Sequence, residues 1–256
     1  MKLDEKDVRD MVRLVGEVSE IPGGHVPKKR YLMEGLGKLI EADAWAWALS
    51  CQRDPSEPQM YVSVQHAAFS EQSFAKFLEA IEHPEMVATT SAFFAKVNQE
   101  NAHLTRRRYQ ITDQTAFERS DAVLAWKAAN IGPTIMSVRP LDNNSSSTIG
   151  LYRHYGKPEF TARESRIAHI ILNEVPWLHL QGWSDDRGSS VPKLSRRLRM
   201  TLNLLISGQS QKQIARNMSV SIGTVQGYVK AIYRHFGLHS QAELMNRFLN
   251  GNGHDE

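Results

Sequence analysis

The sequence contains very little cysteine and no long hydrophobic run. Cys51 is the only cysteine among the 256 residues, which excludes an internal disulfide and a zinc site built from several cysteines. No run of 18 apolar residues occurs, as a membrane-spanning helix requires. The first ten residues, MKLDEKDVRD, are charged throughout, unlike a signal peptide. Hydrophobic residues still make up 41% of the chain, enough for packed cores. We therefore expect a cytoplasmic globular protein without a metal site or a membrane anchor.

Acidic residues are scarce in the C-terminal quarter of the chain. Residues 193–256 contain nine lysines and arginines against three acidic residues, a net charge of +6. Residues 1–192 contain 22 basic and 25 acidic residues, a net charge of −3. Such an asymmetry indicates that the C-terminal part binds a polyanion.

A segment rich in Gly, Ser and Asp, GWSDDRGSSVPK, precedes this basic region. No apolar period runs through the segment, so it predicts a linker over residues 183–192. The chain would then consist of an N-terminal domain, residues 1–182, and a C-terminal domain, residues 193–256.

The pattern before the linker mixes helices and strands. Helical periodicity predicts helices over 4–20, 31–41, 70–82, 84–98, 116–129 and 160–178. Alternating residues predict strands at 45–50 and 60–65, and TIMSVRPL and STIGLYRHY flank DNNS as in a β-hairpin. IPGGHVPKKR, residues 21–30, is typical of a loop, and Thr161 with Glu164 forms a candidate capping box. These elements predict an α+β domain.

All predicted elements after the linker are helices. We expect four short helices: one over Ser195–Ser207, and three after the candidate caps Ser210, Ser221 and Ser240. The helix after Ser210 is short, and a turn separates it from the longer, basic helix after Ser221. This order is the helix-turn-helix arrangement, in which the second helix fits the major groove of DNA.

The longer helix, IGTVQGYVKAIYRHF, has one apolar stripe and one basic face. The stripe is Val225, Val229, Ile232 and Phe236, spaced as one side of a helix. Candidate base contacts on the opposite side are Gln226, Gly227 and Lys230. Candidate phosphate contacts are Lys212, Gln213, Ser221, Thr224 and Arg234. Close approach of DNA would explain a glycine at 227, which costs about 1 kcal/mol in a helix relative to alanine; neutral drift is the other explanation.

The sequence from Leu194 to Leu244 resembles the LuxR-type helix-turn-helix of bacterial transcription regulators. The matching landmarks are Leu194, Leu204, Leu205, Gly208, Ile214, Ala215, Ser221, Thr224, Val225, Ile232, Gly237, Ala242 and Glu243. The resemblance implies that duplex DNA is the partner, that the helix with Thr224, Gln226, Gly227 and Lys230 is the recognition helix, and that the last helix forms a homodimer contact. An acidic residue usual near Leu198 is missing, as is the histidine often found at Tyr228.

The element order of the N-terminal domain is similar to that of GAF- or PAS-like sensor domains, which LuxR-type regulators often carry. Aromatic and apolar residues that could line a ligand pocket there are Trp45, Trp47, Tyr61, Trp126 and Met136; the same residues could simply be core. Residues 126–153 are similar in a limited way to the autoinducer-binding domain of quorum-sensing regulators. The upstream Trp/Tyr/Asp pattern that holds an acyl-homoserine lactone in those proteins is not evident.

The sequence offers no catalytic motif. HExxH, Walker and GxSxG motifs are all missing, so we predict no catalytic residue and no cofactor. The basic run TRRR, residues 105–108, could contact DNA or an acidic partner, or could be a solvated face. We predict a bacterial transcription regulator that binds duplex DNA as a dimer and senses an unknown signal. Two alternatives stay open: a small-molecule receptor, for example of the autoinducer type, and a protein-interaction regulator that does not itself bind DNA.

Overall fold

A five-stranded antiparallel sheet forms the centre of the N-terminal domain. The computed structural model describes residues 2–52, 59–181 and 194–250. The strands are β1 (Ala44–Cys51), β2 (Met60–Ala67), β3 (Leu104–Arg107), β4 (Thr134–Pro140) and β5 (Ser145–Tyr152). Their spatial order is β2-β1-β5-β4-β3. β1 and β5 are buried along their whole length, as their central position requires.

Helices cover both faces of this sheet. They are α1 (Glu5–Glu20), α2 (His25–Ile40), α3 (Glu71–Ile81), α4 (Pro84–Glu100), α5 (Arg108–Ile111), α6 (Gln114–Arg119), α7 (Ala122–Ala128), α8 (Ala162–Asn173) and α9 (Pro176–Leu180). One face carries Trp47, whose ring lies 5.0 Å from that of His179 in α9 and 4.7 Å from Nζ of Lys29 in α2. The other face carries Ala46 and Ala48 and lies under α3, α4 and α7. The α+β prediction is confirmed.

The β4-β5 hairpin is confirmed, and so is the capping box of α8, in which the Thr161 side chain accepts from the Glu164 N–H. The helix predicted over 160–178 is wrong in its length. Pro176 starts the separate helix α9, because proline lacks the N–H that would continue α8.

Two other predictions need correction, and one strand was not predicted. The loop predicted over 21–30 ends at Gly24, and α2 begins at His25. Pro27 is tolerated in the first helical turn, because backbone N–H groups there have no partner within the helix. The helix predicted over 116–129 is two helices, because Ser120 between them is extended. The TRRR run belongs to the unpredicted strand β3 and to the start of α5.

The C-terminal region is a bundle of four helices: α10 (Arg196–Ile206), α11 (Gln211–Asn217), α12 (Ile222–Phe236) and α13 (Gln241–Met245), which continues as a π-helical turn, Asn246–Asn250. The three predicted caps, Ser210, Ser221 and Ser240, are found, and Ser195 caps α10 in the same way: each serine side chain accepts the N–H of the residue three positions on. Gly237 ends α12 with a φ of 64°, a left-handed conformation that favours glycine.

The helical bundle packs against β2 and α3 of the N-terminal domain. Arg199 in α10 donates two hydrogen bonds to the Glu82 carboxylate, at 2.9 and 2.8 Å. The Asn203 amide donates to the Tyr61 carbonyl of β2 at 3.4 Å. The predicted linker, residues 183–192, lies outside the described residues, so the domain boundaries stay predictions. The GAF- or PAS-like interpretation of the N-terminal domain also stays a prediction. None of the described helices is long and apolar enough to cross a membrane.

Candidate nucleic-acid interface

The buried stripe of α12 fixes which of its faces points outward. Val225, Val229 and Ile232 are at most 4% exposed and pack into the bundle, whereas Phe236 is half-buried. Because α12 repeats every 3.6 residues, the opposite face carries Gln226, Gly227, Lys230 and Arg234. All four are exposed.

This outer face is positively charged and free of carboxylates. Lys230 and Arg234 form no ion pair with any residue that the structure describes, and α12 contains no acidic residue. Its N-terminus adds the positive end of a helix dipole and unpaired N–H groups, which favour an anion such as phosphate. The Ser221 and Thr224 hydroxyls are exposed there and lie 2.8 Å apart, each available to a further partner. The face therefore has the chemistry that a DNA groove requires.

Gly227 has no packing role in the protein itself. It lies in the middle of α12, and a Cβ atom added there would meet nothing within 4 Å. The protein's own fold therefore gives no reason for a glycine at this position.

The two α11 candidates differ in their surroundings. Lys212 is exposed, whereas Gln213 is half-buried and serves two intramolecular contacts. The Oε1 atom of its side chain accepts the Ser210 backbone N–H at 2.8 Å. The Nε2 atom of the same side chain donates to the Glu71 carboxylate of α3 at 2.9 and 3.0 Å. In this arrangement the side-chain NH₂ group of Gln213 binds α3 and does not point to a DNA phosphate.

The five candidate ligand residues do not form one pocket. Tyr61, Trp126 and Met136 line a cavity between the sheet and helices α3, α4 and α7, with a volume of about 20 Å³. This is room for about one water molecule. The Trp126 Nε1 atom beside it is buried without a hydrogen-bond partner.

Trp45 and Trp47 point to the opposite face of the sheet. The Trp47 Nε1 atom donates to the Ser147 hydroxyl at 2.7 Å, so this residue is core. Trp45 lines a separate cavity of about 300 Å³ between the sheet and residues of α10 and α13, including Ile206 and Met245. Side chains alternate between the two faces of a sheet along a strand, so Trp45 and Trp47 share one face while Ala46 and Ala48 face the small cavity. The sequence alone could therefore have separated the two tryptophans from the other three candidates.

Residues 192–248 match the family described as bacterial regulatory proteins, luxR family. This segment is a LuxR-family helix-turn-helix domain. Within this domain, the short helix α11 and the longer helix α12 are joined by a turn, as in a helix-turn-helix, and the exposed basic face belongs to the second helix of the pair.

Three solved structures of low sequence identity are similar to this chain, two of SdiA and one of VqsR. SdiA in complex with octanoyl-rac-glycerol is 13% identical, with 96% of this chain and 95% of that chain covered and a TM-score of 0.41. Escherichia coli SdiA in another crystal form is 12% identical, with 95% and 98% covered and a TM-score of 0.40. The VqsR LBD domain from Pseudomonas aeruginosa is 12% identical, with 69% and 95% covered and a TM-score of 0.44. No curated protein matches the chain.

Proposed function

We propose that the protein is a bacterial transcription regulator that binds duplex DNA sequence-specifically through α12. The observation that supports this proposal is the exposed, carboxylate-free face of α12, held outward by the buried stripe on its other side. A protein that acts on bacterial DNA works in the cytoplasm.

The proposed contacts divide into base readout and phosphate binding. Gln226 and Lys230 carry the donors that read adenine and guanine edges in the major groove, and Gly227 lets the helix approach closely. Ser221, Thr224 and Arg234 would contact phosphates, as would Lys212 from α11. Phosphate contacts supply much of the affinity and make it fall with salt concentration.

We also propose that the protein binds paired half-sites as a homodimer through its last helix. Leu244 and Phe248 are buried within the LuxR-family domain, so the dimer contact would use the outer side of α13, where Ala242 and Glu243 are exposed. Two copies on one operator would double the number of base contacts.

Selection of binding sites from a random duplex pool, at about 0.15 M salt, tests the proposal. Wild type should enrich a roughly two-fold symmetric motif. Lys230→Ala should weaken binding to that motif by about 1–3 kcal/mol and relax the preference at one position of each half-site. The control Lys96→Ala removes an exposed lysine of α4 in the N-terminal domain and should change nothing.

Other outcomes have distinct meanings. Equal loss of affinity on every sequence would reduce Lys230 to a phosphate contact. No enrichment by wild type would refute sequence-specific binding by the protein alone and favour a regulator that acts on another protein.

A second proposed function is the sensing of a small apolar molecule that carries a hydrogen-bond acceptor. It rests on the unpartnered Trp126 Nε1 atom beside the small cavity, which such a ligand would have to widen. A thermal-shift screen of metabolites should find a ligand whose stabilising effect is lost in Trp126→Phe, because this change removes the donor and keeps an aromatic ring. Trp45→Phe makes the same change beside the larger cavity, where the Trp45 Nε1 atom is also buried without a hydrogen-bond partner, so a shift lost only in that variant would assign the ligand to the larger cavity. A shift that survives in Trp126→Phe would place the ligand elsewhere.

A further inference from the structure

An open cleft of about 310 Å³ lies between β3 and the first turns of α8. It is at the sheet edge opposite to β2, the strand on which the LuxR-family domain packs. Its polar lining consists mainly of Arg106, Arg107, Gln110, Ser165, Arg166 and His169. The TRRR run therefore supplies two of its three arginines.

The three arginines of the cleft have no acidic partner. None of them forms an ion pair with any described residue, and no carboxylate lines the cleft. Three other arginines of the same domain are paired. These pairs are Arg108 with Glu159, Arg153 with Glu164, and Arg163 with Asp7. The carboxylates of Glu159, Glu164 and Asp7 are thus paired with other arginines and do not neutralise the arginines of the cleft.

The guanidinium groups are held in place by neutral contacts. Arg106 Nη1 donates to the Thr105 carbonyl at 2.9 Å, and Arg107 Nη1 donates to the Phe160 carbonyl at 3.2 Å. The Arg107 guanidinium also lies 4.6 Å from the centre of the Tyr109 ring. Such contacts orient a guanidinium without neutralising it, which preserves donors for a ligand.

His169 of the cleft lies close enough to two of these arginines for their charges to affect its pKa. The pKa of His169 is lowered, chiefly by burial and then by the Arg106 and Arg166 charges, which outweigh the opposing effect of Glu174. His169 is consequently neutral at pH 7, and its Nδ1 atom lies 3.1 Å from the Thr105 hydroxyl. A neutral imidazole and the Ser165 hydroxyl complete a site that offers uncharged hydrogen-bonding groups beside three positive charges.

We propose that this cleft binds a small polyanion that carries at least two phosphate groups, such as the diphosphate or triphosphate chain of a nucleotide. Guanidinium groups bind phosphate oxygens in pairs, and a bound anion relieves the mutual repulsion of the three arginines. The volume of the cleft is in the range of small-molecule sites. Its position, across the sheet from the domain that carries α12, favours a small ligand over the DNA duplex.

Calorimetric titration of the full-length protein with pyrophosphate at low salt tests this site. We expect saturable 1:1 binding to wild type and at least tenfold weaker binding to Arg166→Gln, because that exposed arginine has no other partner to lose. Arg166→Lys should lie between the two, since lysine keeps the charge and loses the paired geometry. The control Arg216→Gln removes an exposed arginine of α11 and should bind pyrophosphate like wild type.

Thermal unfolding gives a second readout. Pyrophosphate should raise the melting temperature of wild type and of Arg216→Gln but not that of Arg166→Gln, whose ligand-free melting temperature should equal or exceed that of wild type. Absence of saturable binding, or equal weakening in Arg216→Gln, would overturn the proposal. Displacement of pyrophosphate by non-specific duplex DNA, with the same sensitivity to Arg166→Gln, would instead assign the cleft to the DNA backbone and also overturn it.

Discussion

Replacing Gly227 by alanine should change stability and DNA affinity in opposite directions. Gly227 is exposed in the middle of α12, and the added Cβ would meet no atom within 4 Å in the free protein. Alanine is favoured over glycine in a helix interior by about 1 kcal/mol, so the free energy of unfolding should rise by about that amount. For a chain of this size the melting temperature should then increase by roughly 2–4 °C.

The same methyl group should weaken binding to the selected operator. If α12 enters the major groove with Gly227 against the DNA, the Cβ atom occupies space that the glycine leaves to a base or a sugar. We expect at least a tenfold loss of affinity, about 1.4 kcal/mol, in a fluorescence anisotropy titration. Urea unfolding of the same sample measures the gain in stability.

Gly16→Ala is the matched control for this experiment. Gly16 is likewise exposed in a helix interior, in α1, with nothing within 4 Å of an added Cβ. It should gain similar stability and bind DNA like wild type. If Gly227→Ala binds the operator as well as wild type does, close approach at this position is refuted and the glycine is neutral. A loss of stability would refute the open environment seen around Gly227.

Two further predictions concern buried charges. Glu82→Ala should lower the free energy of unfolding by about 3 kcal/mol in urea titrations, because the Glu82 side chain is 7% exposed and its loss leaves Arg199 without its carboxylate. The control Glu79→Ala, one turn earlier in α3, should have little effect. Equal effects of the two changes would argue against the contact between the domains in solution. Burial lowers the pKa of Lys29 to about 7, below its unfolded value of 10.5. Wild-type stability should therefore rise between pH 7 and pH 10, as the folded state releases a proton that the unfolded state keeps. Lys29→Met should flatten that rise, and an unchanged pH profile would contradict the assignment.

The LuxR-family domain was predictable from sequence because its signals are local. Each serine cap acts within three residues of its helix, and Val225, Val229 and Ile232 form their stripe through helical geometry alone. The order of these signals along 55 residues defines the bundle without any long-range pairing. The outward face of α12 follows from the stripe by simple rotation.

The features that the sequence analysis missed depend on distant partners. β3 has only four residues, and it is a strand because Leu104 and Thr105 pair with Val138 and Ser137 of β4. The positive cleft forms because β3 meets α8, about 60 residues away in sequence, and no local pattern states this. Gln213 looks like a free phosphate contact in sequence, and only the fold reveals that α3 places Glu71 beside it.

The packing of α10 on β2 predicts how the N-terminal domain would behave without the C-terminal helices. β2 is the outermost strand on its side of the sheet, yet its residues from Met60 to Gln65 are buried. An outermost strand without a cover offers its backbone N–H and C=O groups to any other chain, which is a common start of aggregation. The C-terminal helices thus cover the edge of the sheet in addition to carrying the proposed DNA-binding face. A fragment that ends before residue 194 should self-associate through β2, whereas the intact chain keeps that strand protected.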